Sequence, residues 1–140
     1  MVRTRGGFRM ERDAMGLSQT DVAQGCHVTR RTVQYWERDG KPPETAWTWL
    51  AGMRVQFDSM VEAAVSALDS APGAKTVSVA YYRSQKEHDV HGRGPAPYGM
   101  VNAATREAAR IARERGFQVE AFFPEEHDPA LDAAKESTRD

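Results

Sequence analysis

The placement of two helix-start residues, Ser18 and Thr29, constrains this chain more than any other feature of its sequence. Each has a side chain that accepts a backbone N–H in the first turn of a helix, and each precedes a short run that favours a helix. The runs predict one helix over about 19–25 and a second from Thr29 to Arg38. Only a short turn separates the two predicted helices.

The flanking residues predict where this helical unit begins and ends. Phe8 to Met15 forms a first helical pattern, which Gly16 stops. After Arg38, the run Asp39-Gly40-Lys41-Pro42-Pro43 ends the third helix, because glycine tolerates the left-handed conformation and proline cannot continue a helix. We therefore predict a head of three short helices over residues 1–43.

A single long helix is predicted next, from Glu44 to Asp69 within a connecting segment 44–70. Apolar side chains recur along it at steps of three and four residues: Ala46, Leu50, Met53, Phe57, Met60, Val61, Ala64 and Leu68. At 1.5 Å per residue the helix spans roughly 38 Å, so its apolar face is longer than a small head can cover. Either the C-terminal part or a second subunit must cover the remainder.

The pattern over residues 74–124 predicts a small α/β unit. Val77 to Tyr82 and Phe117 to Phe123 are predicted strands, and Asn102 to Arg115 is the predicted helix between them. Ser84 has the spacing of a helix cap before a short helical turn. A crossover helix makes its two strands parallel neighbours. Two strands alone are barely stable, so this unit either pairs with its twin in a dimer or packs on the long helix.

Composition narrows the classes of function. The 140 residues are 40% hydrophobic and 28% charged, with one cysteine and no apolar stretch long enough to cross a membrane. The basic N-terminal residues lack the apolar core of a secretory signal, and one cysteine is too few for a sulfur-ligated zinc site. We therefore expect a cytoplasmic protein with no membrane contact, no metal and no cofactor. Titratable groups are scattered, so we expect no catalytic residues and no enzyme activity.

Charge is distributed unevenly, although the formal net charge is only −1. Residues 1–41 carry eight basic and five acidic side chains, whereas residues 42–140 carry eleven basic and fifteen acidic ones. A basic head on an acidic body lets one end of the molecule approach phosphate groups while the other end is repelled.

The run from Leu17 to Glu37 resembles the Xre/Cro family of helix-turn-helix regulators. Apolar residues occupy the positions of that family's core: Leu17, Val22, Ala23, Val28, Val33 and Trp36. Trp36-Glu37 followed by Gly40 resembles the family's closing pattern, with one extra residue before the glycine. His27 replaces the usual turn glycine. Histidine tolerates the left-handed conformation better than most residues, so we expect an intact turn.

The resemblance implies that the third helix enters the major groove of DNA with its N-terminus leading. Arginine can grip guanine, and glutamine adenine, with two hydrogen bonds each, so the predicted base readers are Arg30, Arg31 and Gln34. The predicted backbone contacts, which fix register without reading sequence, are Gln19, Thr20, Thr29, Tyr35 and Arg38. The candidates for a flexible arm on the backbone or minor groove are Arg3, Arg5 and Arg9.

The helix-turn-helix is followed by Trp36-Glu37, a proline, the long helix, an aromatic strand at Val79 to Arg83, and a final helix and strand. In this order, residues 8–123 as a whole resemble the YdiL-like group, which includes anti-CRISPR-associated repressors of phages and mobile elements. The predicted fold is mainly α with a small α/β C-terminal part: a helix-turn-helix head, a long central helix and a β-α-β dimerisation region, followed by a polar tail over 125–140. The resemblance implies a homodimer that binds an inverted repeat in double-stranded DNA and represses its own operon.

Three alternatives remain open at the level of sequence. An antitoxin-like protein would neutralise a partner through the β-α-β part, and an RNA-binding regulator would use the basic stripe of Arg106, Arg110 and Arg113 on the last helix. The third alternative, an enzyme, ranks last because no convergent set of titratable groups is evident.

Overall fold

The computed structural model describes residues 2–70, 73 and 75–124, and the predicted tail over 125–140 lies outside these ranges. In chain order the elements are α1 (Arg5–Ala14), α2 (Gln19–Cys26), α3 (Arg30–Arg38), α4 (Glu44–Asp69), β1 (Thr76–Ala80), α5 (Gln85–His91), α6 (Tyr98–Glu114) and β2 (Gln118–Phe122). The prediction of a mainly α fold with a small α/β C-terminal part is therefore confirmed.

Side-chain caps set the ends of the short helices. Ser18 and Thr29 accept backbone N–H groups at the starts of α2 and α3, as predicted, and Ser84 does the same for α5. Thr4 caps α1, so this helix begins at Arg5 rather than at Phe8. The prediction of a flexible N-terminal arm is wrong for Arg5 and Arg9, because both lie within α1.

One hydrophobic core joins the three short helices to the first half of α4. Phe8 is fully buried at its centre, and its ring meets Trp36 and Trp47 edge to face, with ring centroids 6.4 and 5.1 Å away. Ala46, Leu50 and the buried Trp47 bring the start of α4 into the same cluster. The first turns of the long helix thus complete the core of the head.

The C-terminal part of the same chain covers much of the remaining apolar face of α4. Helix α6 packs along α4 more extensively than any other pair of elements, and it adds Met100, Ala103 and Ala104 to the core. Of the two alternatives that the sequence left open, the C-terminal part of the same chain covers much of this face. Along the second half of α4, side chains such as Val65 and Leu68 remain only half-buried.

Strands β1 and β2, which precede and follow α6 in the sequence, pair with each other in parallel, as the β-α-β pattern predicted. The register places Thr76 beside Gln118 and Ala80 beside Phe122. Helix α6 begins at Tyr98, directly after Pro97, and not at Asn102. Gly99 therefore lies inside the first turn of the helix.

A glycine–glycine contact explains why position 99 is a glycine, and it joins the head to α6. Gly16, at φ +69°, and Gly99 approach so closely that a side chain on either would collide with the carbonyl of the other. A Cβ at Gly16 would also press on Ala103 at 2.9 Å. The turn between α1 and α2 can rest on α6 only because both positions lack a side chain.

We expect Gly16→Ala to lower the free energy of unfolding by about 2 kcal/mol or more, because it adds backbone strain and a clash at this contact. Gly52→Ala is the matched control. Gly52 lies inside α4, and a Cβ added there would meet no atom within 4 Å, so alanine should raise stability by about 1 kcal/mol. Urea unfolding followed by tryptophan fluorescence measures both, and equal effects would refute the contact's role.

Candidate nucleic-acid interface

Helices α2 and α3 are joined by a turn whose geometry depends on one left-handed residue. His27 has φ 57° and ψ 43°, and it is the only non-glycine residue with positive φ in the described part of the chain. The Val28 N–H donates to the carbonyl of Ala23 at 3.0 Å and closes the end of α2. Histidine therefore replaces glycine without opening the turn, as expected.

The caps at the two helix starts are complete. Ser18 and Asp21 form a reciprocal capping box, with N···O distances of 3.0 and 2.8 Å. Thr29 Oγ1 accepts the Thr32 N–H at 3.2 Å and lies 3.0 Å from the hydroxyl of Thr32. These bonds fix the first turn of α3, the turn that the sequence predicts to approach base edges.

Helix α3 has one buried and one exposed face. Val33 and Trp36 point into the core. The opposite face carries the predicted contact residues, all exposed: Arg30, Arg31, Gln34, Tyr35 and Arg38. Thr20 and Thr29 are also exposed, whereas Gln19 is half-buried. The structure thus presents the predicted residues of α3 together on one open face.

The predicted residues differ in what they already contact. Arg38 Nε donates to Asp39 at 2.6 Å, and Gln19 Nε2 donates to Glu37 at 3.3 Å. Within the described residues, no hydrogen bond or ion pair engages the side chains of Arg30, Arg31 or Gln34. The predicted base readers therefore keep their full set of donors and acceptors free for a ligand.

A buried ion pair, which the sequence reasoning missed, holds α3 in place. Arg12 in α1 donates to both carboxylate oxygens of Glu37 at 2.8 and 2.7 Å, and to the carbonyl of Leu17 at 2.9 Å. The two side chains are only 8% and 5% exposed. Burial alone would lower the pKa of Arg12, but the hydrogen bond and charge of Glu37 raise it above its ordinary value, so the guanidinium stays charged.

The same carboxylate orients Gln19. Glu37 Oε1 accepts from Gln19 Nε2 as well as from Arg12, so the first residue of α2 is tied to the third helix. The sequence did contain a signal for this pair. Arg12 lies four residues after Phe8, on the apolar stripe of α1, where an unpaired charge would be costly.

Tyr35 and Gly40 form a second close contact on the edge of the interface. The Tyr35 ring lies where a side chain on Gly40 would be, 2.5 Å from the position that a Cβ would take there. Gly40 has no positive φ, so the expected reason for a glycine there is wrong. Close approach of the ring, and not a left-handed turn, favours glycine at this position.

The N-terminal arginines are held against the body of the protein. Arg5 Nη1 donates to the carbonyl of Arg38 at 2.8 Å, Arg9 lies 3.5 Å from Asp13, and Arg3 pairs with Glu44. Arg5 thereby braces the C-terminal end of α3 instead of extending as an arm.

The basic stripe on α6 is largely paired. Arg110 contacts Glu107 at 2.8 Å and Glu114 at 2.6 Å, and the hydrogen bond from Arg110 lowers the pKa of Glu107. Arg106 donates to the hydroxyl of Tyr81 at 2.6 Å. Arg110 is therefore ion-paired at the surface, whereas the hydrogen bond of Arg106 to a neutral hydroxyl leaves its positive charge in place.

Residues 8–56 match the model of a helix-turn-helix family. The match spans α1 to α3 and the first half of α4, which are the elements that share the core of the head. It supports the broad Xre/Cro-like class of DNA-binding regulatory domains for this segment. A comparison with curated proteins finds no match. Within the described ranges, no helix is both long and apolar enough to span a lipid bilayer.

Replacing one partner of the buried pair should be far more damaging than replacing both. We expect Arg12→Met to cost about 3–5 kcal/mol in the free energy of unfolding, because it leaves Glu37 buried and unpaired. The double variant Arg12→Met/Glu37→Met should recover most of that loss, because an apolar pair of similar volume replaces the ions. Urea unfolding checks this double-mutant cycle, and losses that simply add would contradict it.

Proposed function

We propose that this protein is a sequence-specific transcriptional regulator that binds double-stranded DNA as a homodimer and represses its own operon. One observation carries the proposal: the exposed face of α3 presents two arginines and a glutamine without internal partners among the described residues, on a helix fixed by the core and by the Arg12–Glu37 pair. The helix-turn-helix match over residues 8–56 supports it.

The first turn of α3 supplies the chemistry for reading bases. Arg30 and Arg31 each offer a planar donor fork that fits O6 and N7 of guanine, and the Gln34 amide fits N6 and N7 of adenine. Each such pair contributes about 1–3 kcal/mol of discrimination against the wrong base. Because these side chains have no partner to release within the described structure, this discrimination is not offset by a lost contact.

A second group of side chains is proposed to hold the DNA backbone: Gln19, Thr20, Thr29, Tyr35 and Arg38. The amide of Gln19 is already oriented by Glu37, and Thr29 and Thr20 stand at the starts of α3 and α2. Arg38 would exchange its exposed contact with Asp39 for a phosphate, at little cost because exposed ion pairs are weak. These contacts would fix register without selecting sequence.

The proposed homodimer and its repression of transcription are based on how much DNA one helix-turn-helix head can cover. One head covers a single half-site of a few base pairs, and two heads related by a two-fold axis read an inverted repeat with half-sites about 10 bp or a multiple of this apart. A dimer bound in its own promoter occludes polymerase. The resemblance to YdiL-like, anti-CRISPR-associated repressors gives the proposal its biological setting on a phage or mobile element.

The alternatives have less support in the geometry. The basic stripe that an RNA-binding regulator would use lies outside the matched helix-turn-helix segment, and its Arg110 is ion-paired with Glu107. An antitoxin-like role would use the β-α-β part, which lies outside the matched residues 8–56.

We expect the protein to shift DNA from immediately upstream of its own gene, at physiological salt and in the presence of competitor DNA. Three substitutions should each weaken operator binding about 10- to 100-fold: Arg30→Ala, Arg31→Ala and Gln34→Ala. Gln34→Ala removes no charge, so it should leave non-specific binding nearly unchanged. Arg113→Ala, which removes an exposed arginine from α6, is the matched control and should bind like the wild type.

Equal, weak binding by the wild type and by all three α3 variants would indicate phosphate attraction alone. That result would contradict the proposed base readers. If Arg113→Ala loses DNA binding while the three α3 variants bind like the wild type, the result would instead favour nucleic-acid contact through α6.

A further inference from the structure

The C-terminal sheet has only two strands, and in the described residues no third strand pairs with either. Both β1 and β2 therefore have an edge of backbone N–H and C=O groups that no described strand covers. An isolated two-stranded sheet is marginal, and an open edge is a ready template for another strand. The two edges differ in how well they would accept a partner.

The hydrogen bonds of the sheet show which groups point outward. Lys75 O accepts from Gln118 N at 2.7 Å, and Tyr81 N donates to Phe122 O at 2.9 Å. In a parallel ladder both backbone groups of a residue point the same way and alternate along the strand. Odd-numbered residues of β1 therefore face β2, whereas Thr76, Ser78 and Ala80 present their N–H and C=O groups at the free edge.

The free edge of β1 can pair with a copy of itself without electrostatic cost. An antiparallel pair centred on Ser78 sets all three outward residues of one copy against those of the other, and each opposed pair exchanges two hydrogen bonds. The strand Thr-Val-Ser-Val-Ala has no charged side chain and no proline. Strand β1 therefore lacks the charged residues and prolines with which proteins usually prevent an exposed edge from pairing.

The free edge of β2 is less suited to the same pairing. Its outward residues within the strand are Val119 and Ala121, so a symmetric pair would be centred on Glu120. That arrangement sets Glu120 directly opposite its twin, and like charges directly opposite destabilise a strand pair. Charge and hydrogen-bond number thus both favour β1.

An apolar groove of about 360 Å³ runs beside β1. Its walls are the second half of α4, at Ala64 and Leu68, and α6, at Ala108, and its floor includes Val77 and Val79. In the pair centred on Ser78, Val77 lies opposite Val79 of the partner subunit on the same face of the sheet, so the second copy's valines continue this floor.

We infer that two copies of this protein join through β1, antiparallel about a two-fold axis at Ser78, to form one continuous four-stranded sheet. This inference rests on the proposed homodimer and specifies its interface. Such an isologous contact closes on itself and leaves both heads free for two half-sites.

Cysteine cross-linking tests the inference with two positions that are register partners in the sheet. Ser78 and Glu120 are both exposed and lie side by side on the same face. In the proposed dimer the two copies of Ser78 are about 5.5 Å apart between Cα atoms, within the range of a disulfide. The two copies of Glu120 are separated by three strand spacings, about 14 Å.

The full-length chain is used with Cys26→Ala as background, under mild oxidation. We expect Ser78→Cys to give a disulfide-linked dimer in high yield and Glu120→Cys to give none. A dimer by light scattering in which Glu120→Cys cross-links, or neither variant does, would overturn the interface and leave the homodimer and its DNA binding standing. A monomer by light scattering would overturn both the interface and the proposed homodimer.

A proline pair gives a second measurement that does not depend on cross-linking. Ser78→Pro removes an outward N–H and no β1–β2 hydrogen bond, so it should make the dimer dissociate about 10-fold more readily while the chain stays folded. Ala121→Pro removes an outward N–H from β2 and should leave the dimer intact. The reverse order of effects would refute the assignment.

Discussion

The buried ion pair between Arg12 and Glu37 is the interaction on which the rest of the head depends. It joins α1 to α3 across 25 residues of chain, and the same arginine holds the carbonyl of Leu17 at the entrance to α2. Three helices too short to be stable alone thereby acquire a single relative orientation. Two charges removed from water are costly unless each is fully paired, so this pair tolerates few other arrangements of the helices.

This constraint also separates the two kinds of residue on the proposed DNA-binding face. Glu37 Oε1 accepts hydrogen bonds from both Arg12 and Gln19. The side chain of Gln19, a proposed phosphate contact, is therefore oriented before DNA binds. Within the described residues, the side chains of Arg30, Arg31 and Gln34 take no part in this network. Sequence-specific recognition requires a helix that is held rigidly and base-contacting side chains that have no internal partner. A side chain that must first break an internal hydrogen bond discriminates less well between bases.

Much of the fold follows from local signals in the sequence. Capping residues such as Ser18 and Thr29, and the period of apolar residues along α4, act over a few positions and can be read directly. The parallel pairing of β1 and β2 follows from the crossover helix. What the sequence could not provide depends on distant partners: Gly99 contacts Gly16, and Arg12 pairs with Glu37. The start of α1 at Arg5 follows from a local signal that the prediction missed, the Thr4 cap.

The candidate site shows the same division. Exposure of the α3 face could be predicted, since Val33 and Trp36 define its buried side. The pairing of Arg38 with Asp39, and of Gln19 with Glu37, could not, because helical periodicity says nothing about which polar side chains meet. Nor does it show that Tyr35 lies on Gly40.

Selection of binding sites from a pool of random double-stranded DNA tests the central claim most directly, since it presupposes no operator. The account predicts that the wild type enriches an inverted repeat, and that Gln34→Ala loses preference at one symmetric position in each half-site while the rest of the repeat remains. If the wild type enriches no sequence, or if Gln34→Ala enriches the same repeat with the same preferences, then α3 does not read DNA in the way that its exposed face indicates.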